Sequence, residues 1–241
     1  MAPEPPENLP PAIDAMPTTS DSVHDRLAEA ARYAVLRRVF PVLRHDVAGS
    51  LQPVHMLLMV LQRRVQKTDP DLAAITKSVL SLGALTVQAA ADCMNALGWV
   101  DSSQDPQVGL RHSVDEAAKL LALELSVNPL ALVNGVEDDS ITAPQSFFRS
   151  VFTGALLAFC DQHVASGTLL VTFQKAAANS PQTGQLQLRM LPGDAGKSPP
   201  APNEVRELRM IGWPDVQAMA RSCGVKMARG DGWLTLDLPR Q

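Results

Sequence analysis

The 241-residue chain has few aromatics (4%), three cysteines, and no marked excess of charge, with a formal net charge of −4. Scarce aromatics argue against an all-β core and for helices packed through Leu, Val and Ala. The hydrophobic share of 46% is ample for a sizeable interior. Cys93, Cys160 and Cys223 lie far apart without a Cys-x-x-Cys spacing. They read as buried free thiols, which suits a reducing cytoplasm. No basic patch points to nucleic acid. No uninterrupted apolar run approaches the roughly 18–20 residues of a membrane span. Residues 1–21 are rich in proline and acids and have no apolar core of a signal peptide. They read as a disordered tail. No His-Glu-x-x-His, paired His/Cys spacing, Gly-x-Ser-x-Gly elbow or Walker-type loop is present, which removes zinc-hydrolase, serine-hydrolase and P-loop chemistries.

What the chain does have is a helical seam with a histidine on its far side. Leu36, Phe40, Leu43, Val47, Leu51, Val54, Leu58, Leu61 and Val65 follow one another in steps of three and four, close to a heptad pattern. At about 100° per residue, His45 lies roughly 200° from Leu43, away from that seam. Its neighbours one turn away are Arg38, Pro41, Val42, Ala48, Gly49 and Gln52. A solvated imidazole with small residues beside it has room for another protein's active site. Gly49 costs a helix up to about 1 kcal/mol relative to Ala, and it clears that space. His55 flanks the seam and reads as packed or interfacial. His24, His112 and His163 read as capping or surface groups at element ends.

The pattern predicts an α+β chain. Residues 22–66 form one long helix or two abutting ones, with Asp21 or Ser22 as cap and Pro41 and Pro53 as kinks. Asp69 caps a second helix over 70–97 with Pro70 in its first turn. The two make an antiparallel hairpin, residues 22–100, whose apolar face is too wide for one partner. A homodimer forming a four-helix bundle is the economical solution. A polar linker, 101–107, leads to a second unit, 108–241. There Ser113 caps a helix to about Leu125, and strands are expected at 130–136, 168–174 and 186–191. A strongly apolar helix covers 144–165 and a Gly/Pro/Ser-rich loop 192–203. A short helix over 214–222 ends at Gly224, before a closing hairpin around Gly230-Asp231-Gly232.

From about residue 35 to 239 this order resembles the core of a bacterial sensor histidine kinase. Leu43-Arg44-His45-Asp46 looks like that family's His box, where an acid follows the phosphorylated histidine. The run from Asp215 to Pro239 looks like the end of its ATPase fold. The resemblance implies a dimerising His-bearing hairpin followed by an ATPase-like α/β sandwich. The nucleotide motifs depart from the pattern. The two Asn positions of the nucleotide-box helix fall on Gly154 and Ala158, which have no ligating side chain. The Asp-x-Gly-x-Gly box is reduced to Gly193-Asp194-Ala195-Gly196. The Gly-x-Gly stretch before the last helix is replaced by 209–214.

A kinase-like dimer without an ATP site resembles the histidine phosphotransferases of bacterial phosphorelays that keep a degenerate ATPase-like domain. The spacing His45-x-x-Ala48-Gly49 also echoes monomeric phosphotransfer domains, with Ala48 in place of their Lys. The resemblance implies that His45 shuttles phosphate between response-regulator receiver aspartates in the cytoplasm. Asp46 would hold the second ring nitrogen, and Arg38, Arg44, Ala48, Gly49 and Gln52 would meet the partner. No cofactor is expected, Mg²⁺ coming from the receiver's acidic pocket. Partners are receiver domains, a hybrid histidine kinase and a second copy of the chain, with no nucleic acid and no membrane. Two alternatives remain: a non-catalytic pseudokinase-like adaptor, and an active histidine kinase with a divergent nucleotide site.

Overall fold

The computed structural model describes residues 19–100, 105–128, 130–162, 166–175, 184–193 and 208–239. The sequence readings of residues 1–18, His163 and most of the loop 192–203 lie outside them. Helix α1 (Thr19–Val65) is one continuous element with Pro41 and Pro53 inside it. It starts before the expected cap at Asp21 or Ser22. Helix α2 (Leu72–Leu97) folds back on it. Its cap is Asp71, two residues later than expected, because the Asp71 carboxylate accepts the Ala74 N–H at 3.0 Å while Pro70 stays in the turn. Arg64 fastens the hairpin near that turn, donating to the Ala74 carbonyl at 3.0 Å and to Ser78 Oγ at 2.8 Å.

The α+β architecture expected from the sequence is the one observed. After β1 (Gln107–Gly109) come α3 (Leu110–Leu120), α4 (Ala122–Val127), β2 (Leu130–Asn134) and β3 (Thr142–Pro144). Then follow α5 (Gln145–Phe147), a π-helical turn (Phe148–Phe152) and α6 (Thr153–Gln162). The chain continues through β4 (Gly167–Lys175), β5 (Gly184–Pro192), α7 (Trp213–Ser222), β6 (Met227–Gly230) and β7 (Trp233–Asp237). The main sheet has the order β2-β4-β5-β7-β6, with β2 and β4 parallel and the other pairs antiparallel. A short β1–β3 ribbon was not anticipated, its strands being only three residues each. Gly224 and Gly232 take the positive φ that the helix end and the closing turn require.

One face of the sheet builds the core. Leu169, Val171, Leu186, Leu188, Leu234 and Leu236 alternate inward, while Gln185 and Arg189 point out. Helix α6 is buried on every side from Thr153 to Cys160. Helix α1 closes that core, contributing Ala31, Ala34, Val35, Val39 and Leu43 to the same cluster as the sheet. Thus α1 serves both the hairpin and the sandwich. The three cysteines are free, but only Cys160 is fully buried; Cys93 and Cys223 are partly exposed.

A further sequence expectation is corrected here. Ser113 is not a helix cap, because α3 begins three residues earlier with the Leu110 N–H held by the Ile141 carbonyl at 2.8 Å. And one helix, Leu72–Leu97, is long and apolar enough to cross a membrane by length and composition, with only 11% of its apolar window buried. Its apolar residues are interrupted by small and polar ones, so it holds no unbroken apolar run.

Arg38 ties α1 to the sandwich. Its Nε and Nη2 donate to the two Glu124 carboxylate oxygens at 2.9 and 2.7 Å. Its Nη1 donates to Asp161 at 2.9 Å. The Asp161 side chain is fully buried, and its Oδ2 also accepts the Ile211 N–H at 2.8 Å. Burial by itself would lower the Arg38 pKa; the bonds to Glu124 and Asp161 outweigh it and hold the pKa above the ordinary arginine value. Removing one partner of a buried pair strands the other charge, at a cost of about 3–5 kcal/mol. Arg38→Ala is therefore expected to lose about that much stability in urea unfolding, whereas exposed Arg44→Ala should stay within about 0.5 kcal/mol of wild type.

Candidate functional site

Residues 31, 38, 45 and 52 are spaced by seven, so Ala31, Arg38, His45 and Gln52 form one column on α1. Ala31 and Arg38 are buried under the sandwich, while His45 and Gln52 are exposed. The column leaves the sandwich between positions 38 and 45. Beyond Arg38, His45 is thus the first residue of this column to face solvent, on a helix whose preceding turns are fixed in a core.

The His45 side chain is 87% exposed, and its Nδ1 lies 3.3 Å from Asp46 Oδ1. A carboxylate accepts but does not donate, so this contact favours the tautomer with the proton on Nδ1. The lone pair is then on Nε2, the outer nitrogen. Beyond its chain neighbours and the adjacent backbone of its own helix, a Cβ placed on Gly49 would meet nothing within 4 Å. Arg44, Ala48 and Gln52 are all exposed beside it. The structure thus brings His45, Asp46, Arg44, Ala48, Gly49 and Gln52 to one open surface.

Arg38 does not join them. It was expected to meet a partner, and it is instead buried in the double ion pair with Glu124 and Asp161. Its helical phase matches that of His45, so phase alone places both in solvent; the covering residues come from 86 and 123 positions away. His55, read as packed or interfacial, is exposed in the single chain. His112 lies within α3 and pairs with Glu116 at 3.4 Å. Among the described residues, no group of three or more His, Cys, Asp and Glu could hold a metal.

The positions matched to nucleotide-binding asparagines face the core. Gly154 and Ala158 are fully buried on α6. A Cβ on Gly154 would come to 2.5 Å from Met219 Cε of α7 and 3.5 Å from Val35 Cγ2 of α1. Gly193 follows β5, donating its N–H to the Ser166 carbonyl at 3.1 Å, and residues 194–196 lie outside the described set. In the 209–214 segment, Ile211 is buried against Asp161, and Arg209 pairs with Asp215.

Sequence reasoning missed the cleft that opens beside Asp46. Trp99 and Arg149 line it. No spacing rule relates them, because they meet only when the end of α2 packs on the π-helical turn.

No protein-family model matches the chain, and no curated protein matches it in sequence. Solved structures similar to it include the Acinetobacter baumannii histidine kinase AdeS, at 13% identity and a TM-score of 0.42 over 81% of this chain and 97% of that one. The histidine kinase ThkA in complex with the response regulator TrrA is similar at 10% identity and a TM-score of 0.38, over 95% of this chain and 68% of that one. The blue-light activated histidine kinase of Erythrobacter litoralis is similar at 16% identity and a TM-score of 0.37, over 76% and 62%. At such values the roles of His45 and Asp46 rest on their own geometry.

That geometry has a direct spectroscopic consequence. In ¹⁵N-labelled protein, the neutral His45 ring is expected mainly as the Nδ1–H tautomer. Asp46→Ala should shift it toward the Nε2–H form, with no loss of stability beyond about 0.5 kcal/mol at so exposed a site.

Proposed function

We propose that this chain is a histidine phosphotransferase, relaying a phosphoryl group between response-regulator receiver aspartates through His45 without using ATP. The observation that carries the reading is the exposed His45 with Asp46 at its Nδ1 and open space over Gly49. Phosphoryl transfer needs an in-line nucleophile, a matched electrostatic setting and little other help from the protein. Neutral His45 offers the Nε2 lone pair to the phosphorus of a receiver's aspartyl phosphate. The N–P bond forms as the aspartate O–P bond breaks, and the electron pair of that bond leaves with the receiver carboxylate. The proton on Nδ1 remains directed at Asp46, which stabilises positive charge developing on the ring. In the reverse direction a second receiver's aspartate takes the phosphoryl group from Nε2. Arg44 and Gln52 are placed to meet the docked receiver, whose own acidic pocket brings Mg²⁺.

The packing around Gly154 supports the part of the reading that omits ATP. Side chains able to hold Mg²⁺ or phosphate are lacking at Gly154 and Ala158, and Met219 and Val35 crowd the first of these positions. Carrying phosphate without hydrolysing ATP makes the chain an intermediate in a cytoplasmic phosphorelay, fed by a hybrid histidine kinase or its receiver.

A second copy of the chain completes the hairpin in this reading. Leu51, Leu58 and Val65 are exposed on α1 in steps of seven, as are Leu80, Val87 and Met94 on α2. Two such stripes are the seams of a four-helix bundle formed by two hairpins. The same pairing covers the apolar side of α2 that passes the membrane-span criterion. Val87→Glu is expected to shift the protein from dimer to monomer in sedimentation velocity at micromolar concentration. A wild type that sediments as a monomer at all concentrations would remove the dimer.

The function itself is tested with a phosphorylated receiver domain carrying radiolabel. Wild type is expected to take the label within minutes, His45→Ala to take none, and neither to be labelled by ATP with Mg²⁺ alone. Binding of the receiver by both proteins with no transfer to either would replace this reading with the adaptor. Labelling of wild type by ATP alone would replace it with the active kinase.

A further inference from the structure

Helix α1 runs well past the helix it pairs with. Arg64 is level with Ala74 and Ser78 of the returning α2. Equal rise along the two helices then puts Leu97, the last residue of α2, level with about Leu43. Residues 19–42 of α1 therefore extend beyond the hairpin by about 36 Å. One side of this extension is fixed, because Ala31, Val35 and Val39 belong to the sandwich core and Arg38 is paired within it.

The opposite side is open. Tyr33 is 62% exposed and Phe40 53%. At about 100° per residue, both fall within about 40° of Leu51, Leu58 and Val65 around the helix. Those three form the apolar stripe of α1 that a second copy covers in the proposed bundle. The stripe thus continues past the level at which α2 stops, with the exposed Arg37 and Arg44 along one edge. One turn before Tyr33 it ends, at the exposed Glu29. Large apolar side chains aligned on one open helix face mark an interaction site.

The bundle itself indicates the occupant. Two hairpins related by a twofold axis along the bundle carry their α1 helices in parallel, with like residues facing across the axis. Beyond the level of Leu43 no α2 stands between the two extensions, and each has its sandwich on the side away from the stripe.

We propose that the second copy also covers the extension, residues 33–44 of the two α1 helices forming a parallel two-stranded contact beyond the four-helix bundle. Tyr33 then faces the partner's Tyr33, and Phe40 faces the partner's Phe40. The stems of Arg37 and Arg44 border the rings while their charged ends reach water. The two sandwiches flank the paired helices, each tied to its own α1 through Arg38. This contact rests on the dimer of the proposed function and not on phosphate transfer. His45 lies about 120–160° round the helix from the stripe, so the contact leaves it open.

Tyr33 is the only tyrosine of the chain, which allows a test on the full-length protein without a foreign label. Brief photo-oxidation with a ruthenium complex is expected to join two chains through dityrosine, read by its fluorescence and as a covalent dimer on a denaturing gel. Tyr33→Phe should give no dityrosine and sediment as wild type does. The yield should not fall on dilution while the protein stays dimeric. Phe40→Glu, a change at an exposed position, should weaken the dimer about 30-fold or more in sedimentation velocity. Leu27→Glu, exposed on α1 but off the stripe, should leave it unchanged. The inference is overturned if a protein that sediments as a dimer forms no dityrosine, if the yield falls with dilution in the dimeric range, or if Phe40→Glu dimerises like wild type; the bundle stands in each case. A chain that is monomeric at all concentrations removes the bundle and this contact together.

Discussion

The grip of Arg38 on Glu124 and Asp161 is the interaction on which the rest of this structure depends. It joins the long helix to the α/β sandwich through a fully buried carboxylate and a chelated guanidinium. Desolvation opposes such a cluster, and only complete pairing offsets it. Here the pairing extends to the Ile211 N–H, so the residues just before α7 are held by the same carboxylate as α1. Those tied elements fix the axis of α1 through its middle. Seven residues beyond Arg38, about 10.5 Å along a helix, the same face carries His45. Its location is therefore set by a core rather than by a loop.

In the proposed reading, that arrangement reconciles two demands on a phosphoryl-carrying histidine. The ring must be exposed enough for a second protein's active site to close over it, and it must sit where the partner can find it in one orientation. Exposure comes from leaving the sandwich after Leu43, and orientation comes from the buried turns before it together with Asp46 at Nδ1. Gly49 adds clearance on the next turn. Its helix cost, about 1 kcal/mol relative to Ala, is small beside the stability that the buried half of α1 provides.

Part of this was legible in the sequence. The hairpin, the Gly224 helix end and the alternating strands follow from local periodicity and turn chemistry, which act within a few residues; His45 is exposed as expected, but on the face that buries Ala31 and Arg38, because the sandwich ends before it and not because of its phase. The burial of Arg38 was not legible. A cation two turns from an exposed histidine reads as solvated, and the carboxylates that capture it come from α4 and α6. Ser113 misled for a similar reason. Its type suits a cap, but the start of α3 is set by the Ile141 carbonyl holding the Leu110 N–H, an interaction distant in sequence. The apolar face of the hairpin reads as too wide for one partner, and the outer side of α2 is indeed exposed in the single chain. In each case local pattern gave the element and its phase, while long-range packing decided what covered it.

The central claim is that His45 carries phosphate on its outer nitrogen while Asp46 holds the inner one. The most direct measurement is ³¹P NMR of the chain mixed with a phosphorylated receiver, followed by mass-spectrometric mapping of the modified residue. The account predicts a phosphoramidate signal from Nε2-phosphohistidine at His45, stable in alkali and lost in acid. A phosphate on Nδ1 or on any other residue, or its absence while the receiver remains bound, would contradict it.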